Sequence, residues 1–179
     1  MTAARSEGAA VSDRGVDAAR EYRDFADARA AQLFRIAFLM CGDWHEAEDL
    51  VQTTLAKLFV AWGRVRRRES MDTYARRVML NAYLSQRRLR RSGEMPVANI
   101  GEMSAPGVDT DLRMTLVAAL RRLPPRSRAV VVLRYVEDHS IESVAQLLDA
   151  SPSAVKSLNT RGLAQLRELL GSQQDLFQQ

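Results

Sequence analysis

The amino-acid sequence predicts an all-α protein: two small helical domains joined by a flexible linker, the C-terminal one a helix-turn-helix. Three observations carry this expectation. Apolar residues recur at three- and four-residue spacing over most of the 179-residue chain. Residues 92–110, SGEMPVANIGEMSAPGVDT, break that period with Gly, Pro and Ser. Residues 141–170 read as two short helices around a tight turn.

Composition narrows the class. With 46% hydrophobic and 6% aromatic residues the chain is foldable and rich in aliphatics. Cys41 is the single cysteine, so no intrachain disulfide can form and a reducing compartment is expected. Cys41 and His45 lie a helical turn apart, but with only His139 left over a closed zinc site cannot be completed; neither metal nor cofactor is expected. Arg5, Glu7, Asp13 and Arg14 interrupt every apolar run near the start, and no run is long enough for a membrane span, so a cytoplasmic protein is expected.

Residues 1–16 are small and polar and read as a flexible leader. From Asp17 to Met40 the apolar stripe Tyr22, Phe25, Ala26, Leu33, Ile36, Ala37 and Met40 predicts a helix, ended by Gly42. Asp43 with Glu46 three residues on resembles a capping box that opens a second helix through Trp62, its carboxylates Glu46, Glu48 and Asp49 favoured by the helix dipole. Residues 63–72 read as a basic loop. A third helix, to Arg91, should bury Met71, Ala75, Val78, Ala82 and Leu89 and turn Arg76, Tyr83, Arg87 and Arg91 outward. Residues 64–91 hold ten Arg against Glu69 and Asp72, about +8 in a chain of net +4, the electrostatic footprint of a polyanion-binding segment.

After the linker, Leu112–Leu123 is expected to be helical, and Pro124-Pro125 closes it and launches a helix over Arg126–Val136. The run Ala129–Leu133 has the composition of a buried strand, yet no second strand exists to satisfy its backbone, so helix is expected. Residues 137–140 form a turn. In the last pair of helices, Ser151 is a natural N-cap and Pro152 a natural first residue. Val155, Leu158, Gly162, Leu166 and Leu169 fall on one face, Ser153, Lys156, Ser157, Thr160 and Arg161 on the other. Hydroxyls with Lys and Arg at the start of a second helix suit major-groove reading: the hydroxyls bond base edges or phosphates, and the cations neutralise phosphate or grip guanine.

The segments GDWHEAEDLVQTTLAKLFVAW at 42–62, YARRVMLNAYLSQRRLRR at 74–91 and LPPRSRAVVVLRYVEDHSIESVAQLLDASPSAVKSLNTRGLAQLREL at 123–169 together resemble the extracytoplasmic-function sigma factors of bacterial RNA polymerase. Within that class the chain is most similar to the actinobacterial sigma-E-like group. The resemblance implies that Asp49 and Gln52, with Glu48 and Leu50, dock on the polymerase core formed by the beta and beta-prime subunits. It implies that Arg64, Arg66, Arg67, Arg68, Arg76, Arg77, Asn81, Tyr83, Arg87 and Arg88 melt and hold the minus-10 promoter element. Ser153, Lys156, Ser157, Thr160 and Arg161 would read the minus-35 element, and an anti-sigma factor or other regulator would be a further partner. Asp149 stands where the family often has Gly at the helix-turn-helix corner, so another left-handed-tolerant residue must make that turn.

A stand-alone helix-turn-helix regulator is the alternative; it would explain residues 141–170 but leave EDLVQ and the Arg-rich helix without a task. A small helical enzyme finds no nucleotide loop, nucleophile–base pair or metal set to support it.

Overall fold

The computed structural model describes residues 4–65, 70–91 and 110–174, and the side chains of 17–64, 70–90 and 112–171. Seven helices follow in order: α1 (Ala4–Cys41), α2 (Trp44–Val65), α3 (Met71–Arg91), α4 (Thr110–Arg122), α5 (Pro125–Tyr135), α6 (Ile141–Leu147) and α7 (Pro152–Gln174). No strand occurs among the described residues. The 92–109 part of the expected linker and residues 66–69 of the expected basic loop lie outside them.

Three boundaries differ from expectation, one of them at the end of α7, which runs to Gln174 where Leu170 was expected to close it. Helix α1 starts at Ala4, so most of the stretch expected to be a flexible leader is helical. That stretch carries no apolar stripe, but its alanines have high intrinsic helix propensity, which extends a helix already nucleated by the packed turns downstream. Helix α2 runs three residues past Trp62 into the expected loop. The run Ala129–Leu133 is helical, and Ala129, Val130, Val132 and Leu133 are fully buried. Its strand-like composition reflects burial on all sides, because α5 is packed between α1 and α3 on one flank and α6 and α7 on the other.

Local chemistry sets the corners. Gly42 has φ +70° and its N–H closes the last turn of α1 on Phe38 O at 2.7 Å. Asp43 caps α2, its Oδ1 accepting from Glu46 N at 2.9 Å. The reciprocal arm of the expected capping box is missing, since the Glu46 carboxylate turns to Arg87 and Arg90. Ser140 and Ser151 cap α6 and α7 by accepting from Ser143 N and Ala154 N. At the helix-turn-helix corner Asp149 itself takes φ +48°, and Ala150 N returns to Ala145 O at 2.9 Å, closing the turn.

Helices α1–α3 and α4–α7 share one continuous hydrophobic core. Tyr22, Phe25, Phe59 and Trp62 stack edge-on between α1 and α2. Gly162 lets α7 approach α5: a Cβ there would sit 3.0 Å from Val131 Cγ2 and 3.4 Å from Ser127 Cβ. Thus the N- and C-terminal groups of helices, expected as separate units, pack directly on one another through α1 and α3 against α4, α5 and α6.

Candidate nucleic-acid interface

Three surfaces carry the side chains expected to act. The first is the outer face of α7. Ser153, Lys156, Ser157, Thr160 and Arg161 are all exposed, the last four lining one shallow recess, while Val155 and Gly162 are buried on the opposite side. Arg161 Nε folds back on Ser157 O at 3.3 Å, which orders the guanidinium along the helix. A residue the sequence did not point to joins this surface: Tyr135, about half exposed at the end of α5, accepts from Asn159 Nδ2 at 3.1 Å. Its position beside α7 follows from the α5–α7 packing, a tertiary contact with no local signal.

The second surface is the outer face of α2. Glu48, Asp49 and Gln52 are exposed. Leu50 is not: its relative exposure is 0%, so it belongs to the core and cannot touch a partner. It lies on the helix face opposite Gln52, toward α1. Glu48 accepts from Trp44 Nε1 at 2.9 Å, and the Trp44 ring rests on Phe34 with centroids 4.5 Å apart. Asp49, Gln52, Thr53, Ala56 and Val60 follow at helical spacing, and Val60 is 85% exposed, an apolar residue in the open that the sequence reading did not single out.

The third surface is α3, and here the expected wheel is turned. Met79, Leu80 and Tyr83 are fully buried, whereas Val78 is only half-buried. Tyr83 therefore cannot reach DNA; burial raises its phenol pKa, and the Arg87 guanidinium lies over its ring at 5.4 Å. Arg76 and Arg87, expected to face outward, point to the same inner side. Arg87 Nη2 bonds Glu46 Oε2 at 2.6 Å and Cys41 O at 3.2 Å. Burial pulls its pKa down, but Glu46 and then Tyr83 and Cys41 oppose this and leave it raised. Arg76 bonds Glu137 through Nε and Nη2 at 2.8 and 2.6 Å. The arginines found the carboxylates that looked missing, in α2 and in the turn before α6, far away in sequence.

What α3 offers to solvent is a different stripe: Tyr74, Val78, Asn81, Ser85 and Arg88, at four- and three-residue steps. Its first end adjoins Arg64 in a hollow with Lys57, Val60 and Ala61. Its far end enters a cleft of about 450 Å³ with Pro124, Pro125 and Arg126. Of the arginines expected on this surface, Arg64 and Arg88 are exposed, Arg77 is half-buried, and Arg66, Arg67 and Arg68 lie outside the described residues.

His139 sits behind Glu137. Its Nδ1 is 3.1 Å from Ser143 Oγ, and its Nε2 is buried without a partner. Burial lowers its pKa below the ordinary 6.5, Arg76 adds to this, and Glu137 and Asp138 oppose it. The native state therefore resists a proton that the unfolded chain accepts near pH 6.5. Stability contributed by the neutral ring is fully present above that value and is lost as pH falls through the lower native pKa. Urea midpoints are expected to fall between pH 7.5 and 5.5 more steeply than in His139→Gln; equal slopes would contradict this.

Among the described residues no helix is long and apolar enough to cross a membrane. The chain matches the family model described as Sigma-70 region 2 over residues 25–93 and that described as Sigma-70, region 4 over residues 113–166. It is 36% identical over 153 residues to the RNA polymerase sigma-E factor of Streptomyces coelicolor, spanning 84% of this chain and 86% of that protein. It is 30% identical to the ECF RNA polymerase sigma factor SigE of Mycolicibacterium smegmatis, spanning 91% of this chain and 67% of that protein. Its fold is similar to that in the co-crystal structure of the sigma factor RpoE with the anti-sigma factor NepR from Bartonella quintana, at TM-score 0.70 and 22% identity over 85% of this chain and 98% of that one. It is also similar to that in the structure of CnrH with the cytosolic domain of CnrY, at TM-score 0.64 and 21% identity over 86% of this chain and 89% of that one.

Proposed function

Because this chain belongs to the extracytoplasmic-function sigma factors, promoter-recognition subunits of RNA polymerase, we propose that its three exposed faces divide the work of initiation among them. The outer face of α2, with Asp49 and Gln52 at its centre and Glu48 and Val60 beside them, docks on the polymerase core. The α3 stripe Tyr74, Val78, Asn81, Ser85 and Arg88, with Arg64, Arg77 and the arginines at 66–68, captures the melted minus-10 element. The α7 face of Ser153, Lys156, Ser157, Thr160 and Arg161 reads the minus-35 element as duplex. The protein acts in the cytoplasm as an initiation factor and carries out no chemistry of its own; an anti-sigma protein is the expected regulator, as the anti-sigma factor NepR is the partner in the similarly folded RpoE complex.

The supporting observation is the order of the two matched regions with an exposed polar face on each. Unstacking a base costs a few kcal/mol, so a small protein opens DNA only when capture of the extruded base and partner contacts offset that cost. Aromatic Tyr74 beside Arg64 supplies a stacking and phosphate-binding edge for capture. Two modest DNA contacts on one scaffold also gain effective concentration. The test is run-off transcription with purified core polymerase on promoters selected from genomic DNA. A specific transcript that depends on this protein is expected; DNA binding with no core binding and no transcript would favour the stand-alone regulator.

A further inference from the structure

The cleft between the far end of α3 and the turn that joins α4 to α5 gathers positive charge without a counter-ion. It has a volume of about 450 Å³, and Arg87 and Arg88 line it from α3 and Arg126 from α5, with no carboxylate on its walls. Arg87 is already neutralised by Glu46 at 2.6 Å. Arg88 and Arg126 are both exposed, and neither has an ion-pair partner among the described residues. Arg126 Nη2 reaches Leu148 O at 3.4 Å, a long bond that leaves most of its donors unused.

Two guanidiniums brought to one cleft repel each other, and an anion that both can reach relieves the repulsion. Arginine meets phosphate through two parallel N–H···O bonds, so a pair of arginines suits a group with two or more phosphates better than a lone carboxylate. The remaining walls have another chemistry. Leu84, Pro124 and Pro125 are apolar surface on which a flat ring can rest, and Asn81 and Ser85 offer an amide and a hydroxyl to the edges of a base or a sugar. Pockets for small molecules occupy about 300–1,000 Å³ and combine apolar walls with a few polar groups, the pattern found here. Phosphate chemistry at one end and ring-binding chemistry at the other together describe a nucleotide.

We propose that this cleft binds a nucleoside diphosphate or a more highly phosphorylated nucleotide, with the phosphates on Arg88 and Arg126 and the base against Leu84 and the two prolines. Such a ligand covers Asn81, Ser85 and Arg88, which also belong to the stripe assigned to the minus-10 strand. Competition between nucleotide and promoter therefore rests on the sigma-factor reading, whereas the site itself is a property of the free chain. Arg126 separates the two, because it lies on α5 and belongs to none of the three surfaces assigned to polymerase or promoter.

The test titrates full-length protein, without polymerase, with GDP, ADP, guanosine, adenosine and pyrophosphate by isothermal calorimetry. GDP and ADP are expected to bind at least about tenfold more tightly than either nucleoside or pyrophosphate. Arg88→Ala and Arg126→Ala should each weaken nucleotide binding by about 10- to 100-fold, the loss expected for a hydrogen bond to a charged group. Arg126→Lys should recover part of it, since the charge remains and the fork does not. Arg122→Ala, which removes an exposed arginine of α4 outside the cleft, should leave nucleotide affinity at the native value, and circular dichroism should show every variant folded. If neither nucleotide binds, or if both cleft variants bind as the native protein does, the site is wrong, whatever run-off transcription shows. Pyrophosphate binding as tightly as GDP would reduce the cleft to an anion site and overturn the nucleotide assignment. A single-stranded oligonucleotide that depends on Arg126 as strongly as GDP does would make the cleft part of the DNA path and overturn it equally.

Discussion

Arg128→Met is expected to be the most destabilising single substitution where α1, α4 and α5 meet, lowering unfolding free energy by about 3 kcal/mol or more. Arg128 is 5% exposed and meets no carboxylate among the described residues. Its guanidinium instead donates to Met40 O at the end of α1 and to Arg121 O and Leu123 O at the end of α4. Helix C-termini leave carbonyls unpaired and carry partial negative charge, so two helix ends together act as the counter-ion. Burial lowers the Arg128 pKa, with nearby Arg87 and Arg121 adding to this against Tyr83 and Cys41, but an arginine stays charged. Methionine keeps much of the volume and strands three acceptors, two of them in buried bonds. Lysine retains the charge but lacks the fork, and should lose about half as much. Urea denaturation followed by circular dichroism measures both; a shift of under about 1 kcal/mol for methionine would show that the carbonyls find water or other partners.

The same residue shows which parts of this fold were legible in the sequence. The α7 face was readable because capping by Ser151, Pro152 at the first position and the 3.6-residue spacing of Val155 and Gly162 are local facts that the tertiary fold preserves. Asp49 and Gln52 were readable for the same reason. The α3 wheel was misread because charge was taken as a marker of the outer face. Helix α3 lies between α2 and the C-terminal helices, so it buries two sides, pairing Arg87 with Glu46 of α2 and Arg76 with Glu137 of the turn before α6. Those partners are 61 and 41 residues away, beyond any helical period. Tyr83 was misplaced by the same rotation, and Leu50 by proximity in sequence to Asp49, although adjacent residues on a helix point about 100° apart. The contact between the two groups of helices left no trace in composition: Arg128 reads as one more basic residue in LPPRSR until its three carbonyls are seen.

Asp49→Ala with Gln52→Ala is expected to reduce core binding by about 100-fold or more while leaving the fold intact. Both side chains are exposed on the outer face of α2 and lie one turn apart, so their removal opens no cavity, and surface changes of this kind usually stay within about 0.5 kcal/mol in stability. At a polymerase interface they would be desolvated, where a hydrogen bond to a charged group contributes about 1.5–3 kcal/mol and a neutral one about 1 kcal/mol. Together that is about 2.5–4 kcal/mol, or roughly two to three powers of ten in affinity. Association with core polymerase, measured by co-elution or fluorescence anisotropy, should fall by that amount, and run-off transcription should fall with it. Duplex binding by α7 is remote from α2 and should be unchanged, which separates loss of docking from loss of the protein. Val60→Asp, at the far end of the same stripe, tests how far the docking face extends: it should weaken core binding, and an unchanged affinity would confine the face to the first turns of α2. Leu50→Ala would also depress transcription, but by opening a cavity in the core costing about 2–5 kcal/mol, and its deficit should track the lowered melting temperature. If the double alanine variant binds core as the native protein does, α2 is not the docking face, and the sigma-factor activity of this chain must engage polymerase through a surface other than its acidic one.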